Sequence, residues 1–156
     1  MNIKFFLKKI NLNFFLILFI ILIILSRIFL YSFYKVNGES MFPTLKDKQI
    51  IVVNKYSKEY NYNDIIVFKN KENNELFIKR VIGLPNDTIT IKNNKLYRNN
   101  KLVEESYLKE YVVTLGEINV KVPSNKYFVL GDNRVKSLDS RVLGCISKKD
   151  IIGKVF

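Results

Sequence analysis

The chain has 156 residues, 26 of them basic and 14 acidic, for a formal net charge of +12, and it contains no histidine. Without histidine neither a Ser/His/Asp triad nor a Cys/His dyad is possible, and the single cysteine, Cys145, excludes an intrachain disulfide and a cysteine-rich zinc site. No metal or cofactor is expected, so any hydrolytic chemistry must draw on a base other than imidazole.

A basic field suits an anionic membrane surface or a nucleic acid. Here lysine, asparagine and isoleucine are abundant throughout and alanine is absent, as AT-rich coding produces. No basic block with interleaved aromatics marks a nucleic-acid face, and no nucleic-acid partner is expected.

The first element is a long apolar run, INLNFFLILFIILIILSRIFLYSFY, uncharged from Ile10 to Ser26. Those residues as a helix cover about 25 Å of a ~30 Å hydrocarbon layer. Continuing the helix to about Phe33 completes a transmembrane anchor over 10–33, with Arg27 snorkelling and Tyr31 and Tyr34 in the aromatic belt. A cleaved signal needs small residues at alternate positions after the apolar core, and SRIFLYSFY offers no such site, which favours a retained anchor. Lys4, Lys8 and Lys9 precede the run, so residues 1–9 are expected in the cytoplasm and 34–156 outside it.

The remainder is sized for one domain. QIIVVNKY, DIIVFK and ELFIKRVIGL are β-branched runs at similar spacing, and NDTITIKNNKLYRNNKLVEE alternates around two Asn-Asn pairs that tolerate hairpin turns. INVKVP, KYFVLGD and the final IIGKVF complete a mainly β set, with a helix expected only around Glu104 to Tyr111. The middle, about 85–123, reads as a small β insertion projecting from the compact domain.

Three segments bear on chemistry. In VNGESMFPTL, 36–45, glycine and proline fix the backbone around Ser40, which is either an ordinary exit turn or a mounted nucleophile. An amine base is the commonest substitute for imidazole, and alternation in LFIKRVIG puts Lys79 between Phe77 and Val81 on one face, with Ile78, Arg80 and Ile82 on the other. Buried there, its pKa falls toward working pH; on an edge strand it would instead snorkel to water. VLGDNRVKSLDSR, 129–141, is a polar turn whose aspartates and arginines suit a loop held by ion pairs and local caps.

Taken together, GESMFPTL, KRVIGLPND and GDNRVKSLDSR, in that order behind an apolar segment and with DIIVF between the first two, resemble the motif boxes of the type I signal peptidases. The resemblance covers most of the chain except the stretch around 93–120. It implies a membrane-anchored serine endopeptidase with a Ser/Lys dyad that removes signal peptides from secreted preproteins. Ser40 matches the nucleophile and Lys79 the general base. Met41 and Pro43 match the residues that set the turn, and Arg80 the arginine beside the base. Ser137 matches the hydroxyl that orients the lysine amine, while Asp132, Asp139 and Arg141 match polar residues that brace the site. Substrate would bind as an added strand, with small side chains at the first and third positions before the cut.

The same resemblance implies a single-pass cell-membrane protein whose partners are preproteins, the bilayer and the general secretion translocase. Three departures stand out. Gly38 occupies a position where some members have a serine that helps form the oxyanion hole, so the Ser40 N–H is the expected donor. Val135 and Lys136 replace an Asp-Asn pair, placing a cation that either acts on Lys79 or points away. Asn86 replaces a common glycine, tolerably, since asparagine adopts left-handed backbone. Other Ser/Lys processing peptidases of conjugation or self-cleaving type, and a non-catalytic basic module tethered to the membrane, are the alternatives to this reading.

Overall fold

The β-branched runs form strands, and the Asn-Asn pairs form the turns between them. A computed structural model describes residues 3–71, 73–108, 112 and 114–156, with the side chains of 3–11, 28 and 29 outside that description. Helix α1 spans Ile3–Leu30 and runs directly into β1, Tyr31–Lys35. There follow β2 Ile50–Asn54, β3 Ile65–Lys69, β4 Leu76–Gly83, β5 Thr88–Lys92, β6 Lys95–Arg98, β7 Lys101–Leu102, β8 Ile118–Lys121 and β9 Lys126–Leu130. A short helix α2, Ser140–Leu143, precedes β10, Ile146–Ser147, and β11, Ile151–Val155.

Two corrections concern the ends of expected helices. The N-terminal helix stops at Leu30 and not near Phe33, because Tyr31 to Lys35 pair antiparallel with Asn54 to Ile50 and their backbone groups belong to that ladder. Around Glu104, the described part of the expected helix is a turn at 106–108, while residues 109–111 lie outside the described residues. On α1 the side chains of 12–27 are exposed and that of Leu30 is half-buried. Among the described residues no helix is long and apolar enough to cross a membrane. The side chains of Lys4, Lys8 and Lys9, on which the expected orientation rests, lie outside the described residues.

Seven strands form the main sheet in the order β1-β2-β11-β3-β4-β9-β10, so the last long strand is inserted between two early ones. In a second sheet, β7-β6-β5-β8, strands β5 to β7 form a meander in which Asn93 and Asn94 (φ 49° and 59°) and Asn99 and Asn100 (φ 51° and 63°) make the two-residue turns, and β8 returns to the far side of β5. Left-handed pairs of this kind match the twist of the strands they join.

Three apolar clusters support the site. Val36, Met41, Val53 and Val67 pack with Ile78 beneath the turn that carries Ser40. Ile66, Phe68, Val81 and Val129 pack with Phe77 on the opposite face of β4. Ile82, Ile89, Leu96 and Phe128 join the second sheet to the first. This division between Phe77/Val81 and Ile78 follows the alternation of β4.

Candidate active site

The turn after β1 is built from its own backbone. Phe42 N–H donates to Glu39 O at 3.0 Å and Leu45 N–H to Met41 O at 2.9 Å, while Met41, 1% exposed, anchors the turn in the core. Gly38 has φ +89°, a left-handed conformation that a side chain would strain, and its N–H donates to Asp47 Oδ1 at 2.8 Å. Pro43 follows in a cis peptide with Phe42. Ser40 is thereby held half-buried at the edge of the sheet.

Lys79 is 2% exposed, so the snorkelling alternative does not hold. Its Nζ reaches the edge of β4 and donates to Ser40 Oγ at 2.7 Å and to the carbonyl of Ile78 at 2.9 Å. Burial disfavours the ammonium and lowers the pKa from 10.5 to about 8, against the opposing pull of the Asp139 and Asp132 carboxylates. A substantial neutral fraction follows at working pH. A neutral amine in contact with a hydroxyl is placed to take its proton.

The bracing residues form two ion-pair units. Arg80 donates to both carboxylate oxygens of Asp132, Nε to Oδ1 at 2.8 Å and Nη2 to Oδ2 at 2.7 Å, and Nη1 donates to Asn63 O at 3.0 Å. Thr44 donates to Asp132 Oδ2 at 2.5 Å, tying this pair to the serine turn. Asp139 caps α2, accepts from Gly131 N–H at 3.0 Å and pairs with Arg141, whose Nη2 also donates to Arg134 O at 2.6 Å. Arg141 braces the loop without touching Ser40 or Lys79.

Loop 131–137 lies close against the serine. Asn133 N–H donates to Ser40 O at 3.0 Å, and a Cβ on Gly131 would come within 2.1 Å of Ser137 Oγ and 2.6 Å of Ser40 O. Only glycine permits that approach. The Ser137 hydroxyl is buried and makes no hydrogen bond among the described residues, so the expected contact to the lysine amine is not formed. Beside Ser40, the amine's other partner is the carbonyl of Ile78. Lys136 points at Glu39 and not at Lys79. Asn86 has φ +70°, as its substitution for glycine requires.

Sequence reading missed Thr44, Asp47, Gly131 and Arg134, although Thr44, Gly131 and Arg134 stand within the quoted boxes. Arg134 is buried and is held by Glu105, Thr114 and Tyr107, and it donates to Gly131 O at 3.1 Å. Glu105, Tyr107 and Thr114 come from the stretch outside the motifs, so no local signal marked them.

A cleft of about 550 Å³ opens beside the Ser40–Lys79 pair, walled by residues 34–41, residues 75–79, Lys136 and Leu138. The free edge of β4 faces it: residues 76–79 pair with β3 alone, and pairing with β9 begins at Arg80. The arrangement sets a serine hydroxyl against a buried lysine amine at the mouth of a cleft on a β scaffold.

Residues 9–156 match the family model described as signal peptidase, peptidase S26. Signal peptidase I U of Bacillus subtilis strain 168 is 48% identical over 144 residues, covering 85% of this chain and 77% of that protein. Signal peptidase I of Bacillus caldolyticus is 44% identical over 146 residues, covering 83% of this chain and 79% of that one. Among solved structures, a signal peptidase I from Enterococcus faecalis V583 aligns with a TM-score of 0.56 and 29% identity over 63% of this chain and 97% of that chain. The chain belongs to the signal peptidase family, peptidase S26.

Proposed function

We propose that this chain is a membrane-anchored serine endopeptidase that removes N-terminal signal peptides from secreted preproteins, with Ser40 as nucleophile and Lys79 as general base. The observation that carries the reading is the 2.7 Å hydrogen bond from a buried lysine amine to the serine hydroxyl. The extended substrate adds along the free edge of β4, where backbone hydrogen bonds supply affinity and the apolar walls at Val36, Met41 and Ile78 select small side chains. Neutral Lys79 accepts the Ser40 proton as Oγ attacks the scissile carbonyl. The resulting ammonium donates to the leaving amine, and a water activated by the same amine then releases the acyl-enzyme.

The oxyanion is stabilised by the Ser40 N–H, which donates to no acceptor among the described residues. Gly38 N–H is occupied by Asp47, so Gly38 serves the turn and not the oxyanion. Ser137 keeps a buried hydroxyl without a partner among the described residues, a costly arrangement retained where an incoming group completes the site. Arg80–Asp132 and Asp139–Arg141 hold the two loops in register.

Anchoring is supported by the uncharged run from Ile10 to Ser26 and by the exposed apolar side chains of α1. The lysines before it favour a cytoplasmic N-terminus and an extracytoplasmic catalytic domain in the cell membrane, beside the secretion translocase. Because β1 follows α1 without a linker, Ser40 stays near the bilayer surface, where the cleavage region of a membrane-inserted signal peptide emerges. Co-expression with a preprotein bearing a small-x-small site tests the function: wild type shortens the preprotein and Ser40→Ala does not. An unshortened preprotein beside folded, correctly inserted wild-type protein would overturn it.

A further inference from the structure

Loop 131–137 grips the nucleophile turn at two consecutive residues. Asn133 N–H holds Ser40 O at 3.0 Å, and Lys136 Nζ holds Glu39 Oε2 at 2.6 Å across a sequence separation of 97 residues. The peptide between Glu39 and Ser40 carries the N–H assigned to the oxyanion, and its carbonyl, Glu39 O, receives Phe42 N–H at 3.0 Å. Gly38 N–H is engaged upstream, so this one peptide bears the alignment. Glu39 and Lys136 both line the cleft with Ser40 and Lys79.

We propose that Glu39 and Lys136 form a positioning pair that fixes the direction of the Ser40 N–H toward the developing oxyanion. The proposal rests on the assignment of Ser40 as nucleophile. As a stabilising ion pair it contributes little, since the two side chains are 56% and 66% exposed. Its place matters more than its strength: a donor aimed at charge that exists only in the transition state acts on turnover, and a small misalignment there is felt in kcat rather than in KM.

The test uses the full chain in detergent with a signal-peptide-type substrate bearing small residues at the first and third positions before the cut. Glu39→Gln and Lys136→Gln should each lower kcat roughly 2- to 5-fold with KM unchanged. The double Gln variant should lose little more than either single, and the charge-swapped E39K/K136E should recover most of the wild-type kcat. A swap no better than the singles, or a loss carried by KM, overturns the pairing while leaving Ser40 in place, provided Ser40→Ala is inactive in the same assay. Residual cleavage by Ser40→Ala would overturn both readings.

Discussion

Lys79 donates to Ser40 Oγ across 2.7 Å although the two residues are 39 apart in sequence. The turn after β1 and the free edge of β4 meet there, and the lysine is buried where they meet. Water competes poorly for an amine in that position, so a neutral Lys79 is placed to accept the hydroxyl proton where an imidazole is absent.

Lys79→Ala should reduce cleavage by on the order of 10²–10⁴-fold while leaving expression and membrane insertion intact. Lys79→Arg should be equally inactive, since a guanidinium keeps its charge at every working pH. Preprotein processing in cells, scored beside membrane fractionation, measures both. Substantial residual cleavage by either variant would remove Lys79 from the mechanism.

The pH profile follows from the depressed lysine. Only the neutral amine accepts a proton, so kcat/KM should rise about tenfold per unit below about pH 8 and level off above it. Stability carries the same sign. Between the folded value of about 8 and the unfolded 10.5, the unfolded chain holds a proton that the folded chain has shed, so stability increases with pH across that window, while below about 8 the full cost of burying the ammonium is present. Lys79→Met should flatten this increase in denaturant unfolding. A rate independent of pH between about 5 and 8 would exclude the lysine base.

Arg80 and Asp132 form a two-point pair in which the carboxylate side chain is fully buried. Asp132→Ala should destabilise the fold by about 3–5 kcal/mol, because it strands the guanidinium. Arg80→Lys should restore little, having a point charge where a fork is needed. Urea unfolding of the detergent-solubilised chain reads both, and losses below about 1 kcal/mol would show the pair to be peripheral.

Gly131→Ala should abolish processing without loss of membrane insertion, since its Cβ would stand 2.6 Å from Ser40 O and 2.1 Å from Ser137 Oγ. Adding Ser137→Ala should not rescue it, because the clash with the serine backbone remains. Rescue by the second substitution would show that only the hydroxyl contact matters.

Several elements were legible before any fold was known. β3 and β4 follow their β-branched runs, and the Asn-Asn pairs make their turns because asparagine accepts left-handed backbone locally. β1 was not legible: YSFYK continues an apolar run without a break, and only pairing with 50–54 makes it a strand. The expected helix around Glu104 failed in its described part for a related reason. Tyr107 stacks at 4.1 Å on the Arg80 guanidinium and Glu105 pairs with Arg134, so tertiary partners override local propensity.

Sequence alone determined the chemistry available to this protein: no histidine, a serine between glycine and proline, and a lysine between apolar neighbours on a strand. Those are facts of residue type and local period, which the chain carries wherever it folds. The tertiary structure decided which lysine is buried and which group orients it. It also decided that Gly38 is spent on Asp47, and that Lys136 turns to Glu39 and away from the base. These depend on distances between segments up to 97 residues apart, which close only when the strands pair and the clusters beneath the serine turn exclude water.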